Sequence, residues 1–234
     1  MQRSLPSRLW YDYLHLMCRL GSTVLFRIRC RGREYVPATG GALVLSNHQS
    51  NLDPVLIGLA CDRRLNYLAR DTLFGFAPFR WLIKSLDAIP IDREGLGLSG
   101  IKETMRRLKQ DEMVLMFPEG TRTRDGEIGH LKSGFASLAR RVKVPLVIAA
   151  IDGAFDAWPR SQKLPRPTAI DVQFGPTLMP DEIAKLDDDA LVLEVERRLR
   201  ACHAQARAQR RLRVGLNGVA KPLPSSAELN HHQA

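Results

Sequence analysis

Scarcity narrows the field before any motif is read. Cysteine occurs four times in 234 residues, as Cys18, Cys30, Cys61 and Cys202, with no C-x-x-C or other metal-ligand spacing. That pattern argues against a zinc site or a disulfide framework and suits small buried side chains in a reducing compartment. Nowhere do about 18 apolar residues run uninterrupted, so no transmembrane helix is expected. The first apolar segment is broken by Asp12, His15 and Arg19, and no small-residue cleavage site follows it, so no secretory signal is expected either. A G-x-S-x-G elbow, a P-loop and a dinucleotide glycine pattern are all missing. The RRM, KH and zinc-finger signatures of nucleic-acid binders are missing as well.

What is present is basic. Lysine and arginine number 35 against 25 acids, a formal charge of +10. Such a balance favours an anionic partner: nucleic acid, a membrane surface or a phosphorylated substrate. Charge alone does not choose among them. A hydrophobic fraction of 44% is enough for a substantial core in one large domain with appendages.

Near the amino terminus, Trp10, Tyr13, Leu14, Met17, Leu20 and Val24 recur at three-to-four spacing, which predicts an amphipathic helix over residues 1–25. Arg3, Arg8, Arg19 and Arg27 surround it, a mixture suited to lying in a bilayer interface; packing on the domain is the competing reading. "VLFRIRCRG" alternates apolar and basic residues and predicts a strand. Beyond it, strand candidates "ALVLS", "NYLA", "AIPI", "VLMF", "PLVIAAI" and "IDVQF" alternate with helix candidates "PVLIGLACDRR", "PFRWLIKSL", "LSGIKETMRRLKQ", "SGFASLARRV" and an arginine-rich helix from Asp188 to Arg213. This alternation predicts one α/β domain over 26–213, a mixed, mostly parallel sheet flanked by helices. Residues 214–234 are polar, with Pro and Ser, and are expected to be disordered.

In such sheets functional groups gather in loops past the carboxyl ends of strands. Three loops here are unusual. "LSNHQSNLDP" places His48 and Asp53 five positions apart across a predicted strand-to-helix turn, with Pro54 at the first helical position. If the two meet, the carboxylate holds one imidazole nitrogen protonated and leaves the other to accept a proton. Alternatively, Asp53 caps the helix and His48 merely completes the turn. "IPIDR" brings Arg93 to the end of a strand. "FPEGTRTRDG" follows "VLMF" with Glu119, Gly120, Thr121, Arg122 and Arg124. An arginine fork suits a phosphate or carboxylate, although a local Glu119–Arg122 pair would explain the same residues. Among the other histidines, His130 is the one remaining functional candidate; His15 and His203 lie on charged helices.

Taken in order, these loops resemble the phospholipid and glycerolipid acyltransferases, the family that includes 1-acyl-sn-glycerol-3-phosphate acyltransferases. Asn47, His48, Ser50 and Asp53 match its N-H-x-S-x-x-D block, "IPIDR" its second block, Phe117 to Arg122 its F-P-E-G-T-R block, and "VPLVIA" its fourth. The likeness covers roughly Phe26 to Leu178. It departs at Ala149, where a second proline is common, and at Arg70, where lysine is common. The resemblance implies transfer of an acyl group from a thioester, acyl-CoA or acyl carrier protein, to the free hydroxyl of 1-acyl-sn-glycerol 3-phosphate, giving phosphatidate without a cofactor. His48 would be the general base and Asp53 its orienter. Arg93, Glu119, Gly120, Thr121 and Arg122, with Lys132 as a further phosphate contact, would form the acceptor site. It also implies a peripheral or monotopic place on the cytoplasmic side of a membrane. Another lysolipid acceptor is the near alternative; a non-catalytic basic protein binding membrane or nucleic acid is the distant one.

Overall fold

Alternation within the apolar runs decides the architecture. In the computed structural model, which describes residues 5–70, 88–91 and 98–215 together with Gly75 and Arg80, Leu43 and Leu45 join one hydrophobic cluster while Ala42 and Val44 join another. Val114 and Met116 divide from Met113 and Leu115 in the same way, as do Ile148 and Ala150 from Val147 and Ala149. Successive strand side chains point to opposite faces, so runs apolar at every position belong to strands covered on both sides.

Seven described strands form one sheet: β1 (Arg29–Arg31), β2 (Ala42–Ser46), β3 (Leu65–Arg70), β4 (Ala88–Ile91), β5 (Met113–Met116), β6 (Leu146–Asp152) and β7 (Asp171–Leu178). Their order is β1-β7-β6-β2-β5-β3-β4. Every pairing is parallel except β6 with β7, the mixed, mostly parallel sheet predicted. Helices α1 (Leu5–Phe26), α2 (Asp53–Ala60) and α5 (Ala154–Ala157) contribute to the cluster on one face; α3 (Leu98–Lys109), α4 (Gly134–Val142), α6 (Pro180–Ala184) and α7 (Asp188–Gly215) contribute to the other. Apart from Arg80, the predicted helix "PFRWLIKSL" lies outside the described residues, as do Arg93 and the tail from 216 onward.

One local reading is corrected. Helix α1 continues through Phe26, so the strand predicted from Val24 shrinks to Arg29–Arg31. Phe26 is buried in the core, and Arg27, with φ of 42°, breaks the helix. An alternating strand would bury Val24 and Phe26 together, but Val24 is exposed while Phe26 is buried, as the helix places them. Most of the predicted apolar stripe of α1 faces away from the domain. Tyr13, Met17, Leu20 and Val24 of the predicted apolar stripe are exposed, as are Leu5, Leu9 and Leu16. The opposite side carries the contact to the domain, with Tyr11 buried and the Arg64 guanidinium 3.8 Å over its ring. No helix among the described residues is long and apolar enough to cross a membrane.

Helix α7 is fastened by ions as well as by packing. Leu191, Val195, Leu199, Cys202 and Ala206 form its buried stripe, and Gly175 lets it lie close to β7, since a Cβ there would stand 2.4 Å from Cys202 Sγ. Arg207 and Arg210 reach Asp152, Arg210 also reaches Asp156, and Arg213 pairs with Asp171, which is shared with Arg31. Arginines that read as a solvated basic face are therefore largely occupied by carboxylates. Burial by itself would raise the Asp152 carboxyl, but the His203 hydrogen bond and the Arg210 charge outweigh it and hold it down at about 2. A depressed carboxylate stabilises the fold above its ordinary pKa of about 4, and that stabilisation is lost as the pH falls toward about 2. The contribution is on the order of 2 kcal/mol. Asp152→Asn should flatten the pH dependence of unfolding free energy between about pH 4 and 2; an unchanged slope in urea titrations across that range would contradict the assignment.

Candidate active site

Strand order brings the loops together. β2 lies between β5 and β6, with Leu45 opposite both Met116 and Ile148. Three parallel strands thus end side by side, and the chains leaving them meet around His48. Asn47 ties the first loop to β6: its Nδ2 donates to the Ile151 carbonyl at 3.0 Å, and its Oδ1 accepts the Ile151 N–H at 2.8 Å. The chain after β5 grips His48 from the other side. The His48 N–H donates to Glu119 Oε1 at 2.8 Å, and the His48 carbonyl accepts the Thr123 N–H at 2.8 Å. The Phe117 ring stacks on the imidazole with centroids 4.0 Å apart and planes 14° apart.

His48 and Asp53 do meet. Nδ1 of the imidazole is 2.8 Å from Asp53 Oδ2, and the same oxygen accepts the N–H groups of Gln49 at 2.5 Å and Ser50 at 2.7 Å. An oxygen that already takes two backbone donors is an acceptor toward the third, so Nδ1 carries the proton and Nε2 keeps its lone pair. Asp53 is fully buried while about a fifth of the His48 side chain is exposed (0% and 20%). Asp53 is not the helix cap that sequence allowed. It is the first residue of α2, Leu52 occupies the cap position, and no side chain caps the helix. The carboxylate instead turns back to the loop that precedes it, and the positive end of α2 favours its charge. Asp53 Oδ1 makes no hydrogen bond among the described residues.

Glu119 is equally inward. It is 6% exposed, and while Oε1 takes the His48 N–H, Oε2 takes the Gly129 N–H at 2.9 Å. Burial raises its pKa, opposed by those two backbone bonds. Both oxygens are engaged in holding loops, so the carboxylate shapes the site from beneath. Gly120 is exposed at φ of 68°, a conformation costly for any other residue, and a Cβ there would stand 3.0 Å from Lys132 Nζ. The bare backbone thus makes room for the exposed Lys132. Thr121 is exposed and Arg122 half-buried on the same loop. β4 ends at Ile91, two residues before Arg93, which lies outside the described residues. His130 is exposed.

A model of the family described as acyltransferase matches residues 27–152, more than half of the chain and every loop just described. The chain belongs to the acyltransferase family. The 1-acyl-sn-glycerol-3-phosphate acyltransferase of Bacillus subtilis is 34% identical over 127 residues, 54% of this chain and 63% of that protein. That of Limnanthes douglasii is 28% identical over 166 residues, 69% of this chain and 58% of that protein. That of Streptococcus pneumoniae is 29% identical over 194 residues, 79% and 68% of the two chains. The matches thus span 63% and 58% of the first two relatives, under two thirds of either. The crystal structure of the 1-acyl-sn-glycerophosphate acyltransferase PlsC from Thermotoga maritima superposes with a TM-score of 0.74 at 19% identity, covering 95% of this chain and 86% of that one, which establishes the shared fold.

Three contacts at this family site had no sequence signal of their own. Gln49 occupies a variable place in the His48 block, yet it is buried, with its amide bonded to Gly126 and Phe155. Stacking of Phe117 depends on neighbouring strand ends, which spacing does not encode. His203 reads as a surface residue of a charged helix, but it is buried, 3.3 Å from both Gln49 and Asp152. The available clue was its place four residues after Leu199 and three before Ala206, on the apolar stripe.

Glu119 supplies two acceptors to two backbone donors, and an amide supplies one. Glu119→Gln should leave an N–H facing an NH2 group and destabilise the protein by about 1–3 kcal/mol, read from urea unfolding at neutral pH. Stability equal to wild type would show that the two bonds do not hold the loops.

Proposed function

We propose that the chain is an O-acyltransferase that moves a fatty acyl group from a thioester to the free hydroxyl of 1-acyl-sn-glycerol 3-phosphate, giving phosphatidate. The observation that carries the reading is the 2.8 Å contact between His48 Nδ1 and Asp53 Oδ2, which leaves Nε2 as the proton acceptor. The hydroxyl oxygen attacks the thioester carbonyl carbon as Nε2 takes the hydroxyl proton. The tetrahedral intermediate collapses with cleavage of the C–S bond, and the proton passes from His48 to the departing thiolate. Loss of the proton accompanies attack because imidazole is too weak a base to ionise an alcohol beforehand. No covalent acyl-enzyme, metal or cofactor takes part, and the donor is acyl-CoA or acyl carrier protein.

Arg122 and Lys132, on the loop that clamps His48, would receive the acceptor phosphate together with Arg93. Gly120 and Thr121 would give that loop its close backbone approach. A guanidinium fork matches phosphate in charge and geometry, and fixing the phosphate fixes the hydroxyl near Nε2. Glu119 acts indirectly, by holding the loop. The exposed apolar side of α1, with Arg19 and Arg27 beside it, suits an interfacial helix and would dock the enzyme peripherally on the cytoplasmic face of the membrane where its acceptor resides. Pairing of Arg207, Arg210 and Arg213 with carboxylates weighs against a helix that binds nucleic acid.

One assay series tests this reading, with acyl-CoA and acyl carrier protein donors and several lysolipids presented in anionic vesicles. His48→Ala should lower transfer by at least about 10³-fold in a protein that still folds. Arg122→Ala should raise KM for the phosphate-bearing acceptor well beyond that for the thioester, and a Leu9→Ser, Leu16→Ser, Leu20→Ser variant should sediment less with vesicles. Near-normal transfer by folded His48→Ala would reject the base. Equal impairment of donor and acceptor in Arg122→Ala would reject the phosphate role, and unchanged sedimentation would reject the docking helix.

A further inference from the structure

Gln49 follows His48 in sequence and shares a peptide plane with it. That plane is pinned at both ends: the His48 carbonyl accepts from Thr123, and the Gln49 N–H donates to Asp53 Oδ2. The Gln49 side chain adds a third anchor. It is 2% exposed, its Oε1 accepts the Phe155 N–H at 3.2 Å, and its Nε2 donates to the Gly126 carbonyl at 2.8 Å. Those partners, one a donor and one an acceptor, fix which end of the amide is which. The amide nitrogen also lies 3.3 Å from His203 Nε2.

His203 is itself held from α7. The same Nε2 lies 3.3 Å from Asp152 Oδ1, and because a carboxylate only accepts, Nε2 donates its proton there and rests against the Gln49 amide as a packing contact. Asp152 is fixed in turn by Arg207 Nε at 3.2 Å and Arg210 Nη1 at 3.1 Å. A continuous set of buried polar contacts thus runs from the arginines of α7 through Asp152, His203 and Gln49 to the N–H that supports Asp53. His203 and Asp152 are 4% and 3% exposed. Burial without partners would cost each of these groups heavily, so the set is a specified arrangement, and it ends on the carboxylate that orients His48.

We propose that Gln49 and His203 are positioning residues for the His48–Asp53 pair, with the Gln49 amide carrying the anchorage of α7 into the loop that bears the base. This rests on the reading of His48 as that base. Neither residue touches substrate. Their effect is on the placement of Asp53 and His48, and small displacements of a reacting group are costly in rate while leaving substrate affinity intact. The requirement at position 203 is hydrogen bonding, not bulk. Leucine keeps the volume and loses the bond to Asp152, whereas the glutamine amide offers Asp152 a donor in its place.

The test is steady-state kinetics and thermal unfolding of His203→Leu, His203→Gln and Gln49→Met, with His48→Ala alongside. His203→Leu and Gln49→Met should lose about tenfold or more in kcat, with KM for thioester and acceptor within about twofold. His203→Gln should recover to within about threefold of wild type. Wild-type kcat in folded His203→Leu overturns the proposal, as does equal loss in the leucine and glutamine variants. If His203→Leu does not fold, Gln49→Met decides by the same criterion. His48→Ala separates two kinds of failure. Should it retain transfer, the base reading falls; should it be inactive while His203→Leu and Gln49→Met match wild type, the positioning proposal alone falls.

Discussion

Asp53 Oδ2 collects three N–H groups, from Gln49, Ser50 and the His48 ring, and the rest of the site is arranged so that this oxygen can sit where it does. A fully buried carboxylate is expensive unless donors surround it. Two of its donors are backbone groups of a loop that would otherwise be loose, and the third is the imidazole. The charge therefore organises the loop, and the loop in turn sets the histidine tautomer. The start of α2 adds its dipole to the same oxygen. Removing the carboxylate would release the imidazole and uncover buried N–H groups together.

Around that centre, strand order does the assembling. Because β2 is flanked by β5 and β6, a loop from each neighbour can close on the same few residues. Glu119 grips the His48 N–H, Thr123 grips its carbonyl, and Asn47 bonds to Ile151 on β6. The acidic member of the F-P-E-G-T-R block is a clamp beneath the site, and its one basic member, Arg122, is half-buried. The buried negative charge of Glu119 is met by backbone donors, while Lys132 on the same connection is exposed.

Sequence made the sheet legible because apolar runs of four to seven residues between turn signals leave few alternatives to buried parallel strands. It located His48 and Asp53 because their loop follows such a strand. Other features were hidden for identifiable reasons. Asp53 before Pro54 looks like a cap, and only the path of the loop shows the carboxylate turned backward. Val24 to Ile28 fits two periodicities, and the exposure of Val24 beside a buried Phe26 fits the helix. His203 and Asp152 are 51 residues apart on elements whose packing no local pattern reports, and the α7 arginines look solvated until Asp152, Asp156 and Asp171 are brought beneath them.

The central claim is that Asp53 fixes His48 with Nδ1 protonated and Nε2 bare. Nitrogen-15 chemical shifts of the His48 ring, recorded on selectively labelled folded protein at a pH where the ring is neutral, read this directly. The expected result is a protonated Nδ1 and an unprotonated Nε2. A proton on Nε2, or rapid averaging of the two tautomers, would contradict it.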